Sequence, residues 1–160
     1  MVLLPCCGPR RAGDVADFVE RFAAEEGLLF IVLAVDPCVD SRRDLCDPVA
    51  YQALLEECLA GHVAGVMASP PCSTYSRARH RQVSGGGPRP LRGRSDCFCL
   101  LPGLTPAERA AGALGTHLVF VCFALMLAAG RAGARTTLEH PADPGRSPFP
   151  SISIAESCDG

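Results

Sequence analysis

Apolar residues along this chain alternate between short continuous runs and stretches with helical spacing. The runs at 2–5, 28–36 and 63–68 predict strands, and a last strand is predicted at 134–139. The run at 28–36 has the length and composition of a strand buried on both faces. Helical segments separate these strands, so the alternation predicts an α/β fold with a mostly parallel, doubly wound sheet and right-handed crossovers.

Boundary residues support three helices between the strands. Asp14 stands where an N-cap is expected, and the apolar positions that follow it stop before Gly27. Pro48 opens a second helix, which stops at Gly61. Thr105 precedes a proline and has the position of the N-cap of a third helix.

The third helix raises the question of a membrane span. Residues 110–130 carry no formal charge and are long enough to cross a bilayer. Gly112, Gly115, Thr116 and His117 interrupt the apolar character, and the α/β pattern needs a crossover helix at this place. We therefore expect a buried crossover helix and no membrane contact, with a membrane-spanning helix as the alternative.

Composition narrows the function classes. The chain has 160 residues, enough for one domain with a real core, and 48% of them are hydrophobic, which excludes a wholly disordered protein. The 17 acids and 15 bases give a net charge of −2, which argues against a broadly basic nucleic-acid coat. Every basic residue is arginine, so Schiff-base and Walker-type lysine mechanisms are excluded.

Ten cysteines occur without any Cys-x-x-Cys pair, so the spacing of zinc ribbons is missing and we expect no bound metal. The first residues lack the apolar core of a secretory signal. Most of the thiols are therefore expected to be small buried hydrophobes in a reducing, intracellular compartment.

Two segments differ in composition from the rest. Residues 77–103 are rich in Arg, Gly and Pro and predict a long mobile loop, and residues 142–160 predict a poorly ordered tail. The loop arginines are candidates for salt-dependent contacts with DNA phosphates, and a solvated loop without a ligand is the alternative. The candidates are foremost Arg77, Arg79 and Arg81, followed by Arg89, Arg92 and Arg94.

Cys72 is the candidate nucleophile. It follows the third predicted strand and two prolines that fix the backbone, at the end of the strand where doubly wound sheets bind ligands. No acid occurs between Cys58 and Ser95, and arginines follow closely, a setting that favours the thiolate. A buried cysteine before an ordinary turn is the alternative.

The segment Pro70-Pro71-Cys72-Ser73-Thr74-Tyr75-Ser76 resembles the Pro-Pro-Cys-x-x-[Phe/Tyr]-Ser nucleophile loop of the DNA (cytosine-5)-methyltransferases. Leu138-Glu139-His140-Pro141 occupies the place of the family's Glu-Asn-Val strand end, and the resemblance covers most of residues 2–141. It implies a Rossmann-like methyltransferase fold that uses S-adenosylmethionine, double-stranded DNA as a partner and the nucleus as a location. The implied catalytic residues are Cys72 and Glu139.

Cofactor elements also follow the family order. The turn Cys6-Cys7-Gly8 resembles the family's first Phe-x-Gly turn, and Asp44-Leu45 resembles its Asp-Ile pair beside the adenine. The resemblance implies that S-adenosylmethionine binds at Gly8, Asp36, Asp44 and Pro70. Asp36 has a separate rationale, because a carboxylate at the end of a strand can accept both ribose hydroxyls.

The resemblance implies methyl transfer to carbon 5 of a flipped-out cytosine, with Cys72 adding to ring carbon 6 and Glu139 holding ring nitrogen 3. The chain stops 21 residues after Glu139. We therefore expect a partial catalytic domain over 1–141 without a target-recognition half, which would leave it inactive unless a second chain supplies that half. The alternative is a non-catalytic nucleotide- or DNA-binding module that keeps the fold without the reaction.

Overall fold

The structure is a computed structural model that describes residues 1–76, 79, 88–93 and 98–139. The predicted 142–160 tail and much of the predicted 77–103 loop lie outside these residues. The chain is mixed α/β, with a four-stranded sheet and three α-helices. In chain order the elements are β1 (Val2–Pro5), α1 (Val15–Glu25), β2 (Val32–Val35), a 3₁₀ turn (Ser41–Arg43), α2 (Pro48–Leu59), β3 (Gly65–Ala68), α3 (Pro106–Arg131) and β4 (Arg135–Leu138).

The chain divides into two compact units. The first unit, Met1–Pro70 with His117–Glu139, contains the whole sheet, α1, α2 and the C-terminal part of α3. The described residues of the second unit lie within Pro71–Thr116.

All four strands are parallel, in the order β2-β1-β3-β4. β1 pairs with β2 from Val2 to Pro5 and with β3 through Val2 and Leu3, while β3 and β4 pair along their full length. This confirms the predicted parallel sheet and is compatible with a Rossmann-like fold. Because the strands run in one direction, their carboxyl ends lie at one edge of the sheet, called here the carboxyl edge.

Helices cover both faces of the sheet in the first unit. On one face, Val2 and Leu4 of β1 pack against Ala16 of α1. On the other face, Leu3 of β1 belongs to a cluster formed with α2 and α3, whose buried members include Val35, Cys58, Val66, Val121, Leu125 and Ala129. The alternation of side chains along β1 therefore supplies two cores at once.

The ends of α1 are set by local hydrogen bonds. Asp14 caps the N-terminus by accepting the N–H of Asp17 through Oδ1 at 2.7 Å. At the C-terminus, Gly27 has a φ of 66°, and the N–H of Leu28 reaches the carbonyl of Ala23 at 2.8 Å, as in a Schellman cap. The three predicted helices are all present, and their starts match the predicted caps.

The predicted strand at 28–36 is shorter than expected. β2 spans Val32–Val35 only, and the residues before it are exposed, with Leu29 at 102% and Ile31 at 69% of their full accessible surface. The sheet sets this limit, because the N–H of Val2 bonds the carbonyl of Ile31 and the preceding residues lead from the cap of α1 to the strand. The expectation of a strand buried on both faces over the whole run was therefore wrong.

In the first unit, α3 packs on the sheet through one face. Leu125 and Ala129 are fully buried there, as expected of a crossover helix, whereas Phe120 and Leu127 are more than half exposed. Among the described helices, α3 is the one whose length and composition also fit a membrane span. In its most apolar 18-residue stretch, 33% is buried inside the fold.

The N-terminus of α3 carries a reciprocal capping box. The N–H of Glu108 bonds Thr105 Oγ1 at 3.2 Å, and the N–H of Thr105 bonds Glu108 Oε2 at 2.8 Å. Arg89 forms an ion pair with the same carboxylate, with Nε 2.7 Å from Oε1. The Arg89 guanidinium, followed by the bonds from Thr105, holds the pKa of the Glu108 carboxyl well below its ordinary 4.5.

This arrangement predicts acid-sensitive stability that depends on Glu108. A carboxyl whose pKa is lowered by folding stabilises the fold above its unfolded pKa and loses that contribution as the pH falls. Between about pH 6 and about pH 3, the melting temperature of the wild type should fall more than that of Glu108→Gln. Glu25→Gln, at an exposed position in α1, serves as control and should follow the wild type. Parallel curves for wild type and Glu108→Gln would contradict the prediction.

Candidate functional site at the carboxyl edge

The carboxyl edge gathers the residues that follow the four strands of the first unit. Cys6–Gly8 follow β1, Asp36 follows β2, Ser69 and Pro70 follow β3, and Glu139 follows β4. The chain passes from β1 to β2 on one side and later to β3 on the other, so β1 and β3 flank the point where the strand order reverses. In open parallel sheets this is the place where ligands bind.

Asp36 connects the ends of β1 and β2. Its Oδ2 accepts the N–H of Gly8 at 3.0 Å, and its Oδ1 accepts the N–H of Cys38 at 2.8 Å. The Cys38 thiol also bonds this carboxylate, so three of the four lone pairs on its two oxygens are used and one acceptor position remains. Asp36 is therefore both a structural support of the turn after β1 and a group that can receive a further donor.

The turn after β1 has an uncommon backbone. Gly8 has a φ of 69°, and Cys6, with a φ of 58°, is the one described non-glycine residue in the left-handed region. No heavy atom lies within 4 Å of the position that a Cβ at Gly8 would occupy. The space beside Gly8 is open, which allows a ligand to approach the backbone.

A cavity of about 180 Å³ lies at this edge, on the face of the sheet that α1 covers. Its polar wall includes Cys7, Arg10 and Asp14 from the turn and the start of α1, and Ser69 and Glu139 from the ends of β3 and β4. The remaining lining is Leu4, Val15, Ala16, Met67, Ala68 and Thr137.

Two side-chain contacts organise the polar wall of the cavity. Ser69 Oγ donates to Glu139 Oε2 at 3.0 Å, and Arg10 Nε donates to Asp14 Oδ2 at 3.0 Å. The first contact fixes one oxygen of Glu139 and leaves the carboxylate exposed on the cavity side. The predicted catalytic acid thus meets the predicted cofactor turn in one cavity.

The predicted cofactor residues themselves do not line this cavity. Asp44 is half-buried and accepts the N–H of Cys46 at 2.9 Å, and Pro70 is buried. Neither of them, nor Gly8 or Asp36, is among the described residues that line the cavity.

Cys72 lies in the second unit, on an exposed loop. The N–H of Tyr75 bonds its carbonyl at 2.9 Å, which closes a tight turn around the cysteine. The alternative of a buried strand-end cysteine is therefore wrong. Arg79 Nε donates to the carbonyl of Ser73 at 2.6 Å and its Nη1 to the carbonyl of Arg89 at 3.2 Å, so this predicted phosphate contact also holds the loop.

The other loop arginines have different environments. Arg77, Arg81 and Arg94 lie outside the described residues. Arg89 forms the ion pair at the start of α3, and Arg92 is only 2% exposed. A mobile, solvated loop was thus the wrong expectation at Arg92, which cannot reach a phosphate at the surface. Nothing in the sequence distinguishes Arg92 from its neighbours.

Sequence reasoning also missed a thiol pair. Cys6 Sγ and Cys122 Sγ are 3.9 Å apart, and Cys122 is fully buried on α3. The hydrogen bond to Cys122, burial, and the carboxylates of Asp36 and Asp44 together raise the pKa of the Cys6 thiol far above its usual range. Cys6 and Cys122 are 116 residues apart in the sequence, so no motif spacing indicates that the two thiols pair.

No metal-binding arrangement accompanies this pair: within the described part of the chain, no group of three or more His, Cys, Asp or Glu side chains could hold a metal ion. No protein-family model, curated protein or solved structure matches the chain. The arrangement of residues at the carboxyl edge therefore carries the functional argument.

The thiol pair predicts how fast Cys6 is alkylated. Because the bond to Cys122 is the largest cause of the raised Cys6 pKa, Cys122→Ala should lower that pKa and increase the thiolate fraction. The rate of iodoacetamide labelling at Cys6, measured by peptide mass spectrometry at about pH 8, should rise at least about tenfold. Cys58→Ala, which removes another buried cysteine of the same core, should leave that rate unchanged. Equal rates in both variants would refute the assigned cause.

Proposed function

We propose that this protein binds S-adenosylmethionine at the carboxyl edge and methylates carbon 5 of cytosine in DNA, with Cys72 as the nucleophile. The observation that carries the proposal is that Cys7, in the turn that Asp36 supports through Gly8, lines the same cavity as Glu139. The Pro-Pro-Cys loop that begins at Pro70 supplies the reaction type by its resemblance to the cytosine-5 methyltransferases.

The residues present fit the cofactor in two respects. The Asp36 carboxylate has one remaining acceptor position for a ribose hydroxyl, and a second hydroxyl can replace the Cys38 thiol there. The open space beside Gly8 admits a ligand against the backbone, and Asp44 is the resemblance's candidate beside the adenine. When bound there, S-adenosylmethionine would supply an electrophilic methyl group.

Cys72 follows the end of β3 closely along the chain. The N–H of Ser69 bonds the carbonyl of Pro5 at 3.0 Å, which fixes the end of β3. Cys72 follows three residues later, and three residues of chain span at most about 10 Å. Pro70 and Pro71 further restrict the backbone between them. The proposed nucleophile is therefore separated by a short, stiff stretch of chain from Ser69, the partner of Glu139.

The proposed chemistry follows from these side chains. The Cys72 thiolate adds to ring carbon 6 and forms a sulfur–carbon bond, which makes carbon 5 nucleophilic. Glu139, oriented by Ser69, holds a proton at ring nitrogen 3 and stabilises the charge that develops there. Carbon 5 then gains the methyl group, with S-adenosylhomocysteine as the leaving group. Water accepts the proton of carbon 5, and the sulfur–carbon bond breaks. Cys72 is thereby restored as the thiolate.

A trapping experiment tests the reaction. In a duplex pool of mixed sequence that carries 5-fluorocytosine, fluorine at carbon 5 cannot leave as a proton, so the bond to Cys72 persists. With S-adenosylmethionine present, the wild type should form a covalent adduct that resists denaturing electrophoresis. Cys72→Ser should form none, Glu139→Gln should form it about 100-fold more slowly, and Cys99→Ser, at another exposed cysteine, should match the wild type.

Two results of that experiment would count against the proposal. Absence of an adduct with the folded wild type would overturn the reaction. Equal trapping by Cys72→Ser would overturn the choice of nucleophile.

Calorimetric titration with S-adenosylmethionine tests the cofactor site separately. Asp36→Asn keeps an acceptor for one backbone N–H but loses the charge, so the affinity should fall at least about tenfold. Asp47→Asn is the matched control, because asparagine caps a helix as well as aspartate does and α2 should be unaffected. Binding without adduct formation would favour a non-catalytic nucleotide-binding module. No binding by the folded wild type would overturn the cofactor assignment.

A further inference from the structure

Arg92 is a deeply buried cation in the second unit. Its guanidinium Nη2 donates to the carbonyl of Gly112 at 2.6 Å and to Thr116 Oγ1 at 3.0 Å, and Nη1 donates to the carbonyl of Phe98 at 3.3 Å. A charge is costly to bury unless its hydrogen bonds are satisfied, so these contacts give the guanidinium one defined position. They connect α3 with the segment that contains Phe98.

The same guanidinium contacts the loop of Cys72. Nε and Nη2 each donate to Thr74 Oγ1 at 3.3 Å, and the guanidinium carbon lies 3.8 Å from the centre of the Tyr75 ring. Tyr75 also donates through its hydroxyl to Thr116 Oγ1 at 3.3 Å. Two of the three residues after Cys72 are thus held by one planar group, which stacks and donates at the same time.

Glycines on α3 make this approach possible. A Cβ at Gly115 would lie 2.8 Å from Thr74 Oγ1, closer than real Cβ contacts allow. At Gly112, a Cβ would lie 2.4 Å from Leu100 Cδ2. The close approach of Thr74 to α3 therefore depends on the missing side chain at Gly115, and Leu100 packs into the space left by Gly112.

We infer that Arg92 is the positioning residue of the Cys72 nucleophile. The prolines fix the backbone before the cysteine, and Arg92 fixes the backbone after it through Thr74 and Tyr75. The hydrogen bond from the N–H of Tyr75 to the carbonyl of Cys72 links the fixed Tyr75 backbone to the cysteine. The inference rests on the proposed function, since it assigns Arg92 a role in that same reaction.

A positioning role has a specific kinetic signature. Arg92 is almost wholly buried, so it acts through the Cys72 loop and not by contact with DNA. Its loss should lower the rate of adduct formation at saturating duplex, because a displaced nucleophile reacts more slowly. The duplex concentration at half-saturation should stay within about twofold of the wild type, because binding contacts are kept.

The test uses two variants and one control in the 5-fluorocytosine experiment. Arg92→Lys keeps the charge but loses the planar fork, and the adduct rate should fall about 100-fold. Gly115→Ala keeps the arginine but displaces Thr74 and places a methyl group 3.5 Å from Arg92 Nη2, which disturbs the bonds between Arg92 and Thr74, so the rate should fall in the same direction. Arg109→Lys is the control: this exposed arginine of α3 donates to the carbonyl of Leu104, and its replacement should preserve the wild-type rate.

Circular dichroism verifies that each variant is folded. If Arg92→Lys is unfolded, the adduct rate of Gly115→Ala is compared with that of the wild type instead. An unchanged rate in the folded variants, or a raised half-saturation concentration with an unchanged maximal rate, would overturn the inference.

A second readout separates this inference from the proposed function. Hydrogen exchange at the Tyr75 amide reports the bond to Cys72 whether or not the protein reacts with DNA. Faster exchange in Arg92→Lys but not in Arg109→Lys supports the positioning role of Arg92. Unchanged exchange overturns it. Absence of an adduct with the wild type would instead overturn the proposed function, and the exchange data would still decide whether Arg92 holds the loop.

Discussion

The pairing of β1 with both β2 and β3 is the constraint on which the rest of the first unit depends. Parallel pairing forces the three strands to end at the same edge, and β4 follows through β3. The contacts at that edge are consequences of this register: Asp36 reaches the N–H of Gly8, and Ser69 reaches Glu139. The two cores also depend on β1, whose alternate side chains face α1 on one side and α2 with α3 on the other.

The order of elements was predictable because its signals are local. Asp14 and Thr105 mark helix starts through bonds to residues three positions away, and short apolar runs mark strands. Strand length was not predictable, because it is set by the partner. The run from Leu28 to Ile31 is as apolar as β2, yet it reaches β1 only at its end, through the carbonyl of Ile31, and its side chains are exposed. An apolar run therefore indicates a strand without fixing its bounds.

For the candidate site, too, the positions of the residues along the chain were predictable but their contacts were not. The rule that ligands bind at strand ends located Gly8, Asp36 and Glu139, and the structure brings the first two into contact. The support given by Asp36 to the turn could not be foreseen, since it joins residues of different strands. The arginines illustrate the same limit: they look alike in sequence, but Arg79 bonds carbonyls, Arg89 pairs with Glu108, and Arg92 is buried. Only three-dimensional neighbours distinguish these roles.

The outer strands of the sheet have a consequence for how the fold can change. In the described residues, β2 and β4 each pair with one neighbour only, whereas β1 and β3 pair on both sides. A strand added beside β2 or β4 would find backbone groups ready to pair, and it would leave the central register untouched. Insertion between β1 and β3 would instead break the ladder that aligns the strand ends. Evolutionary growth or shortening of this architecture is therefore expected at its flanks, with the central pair inherited intact.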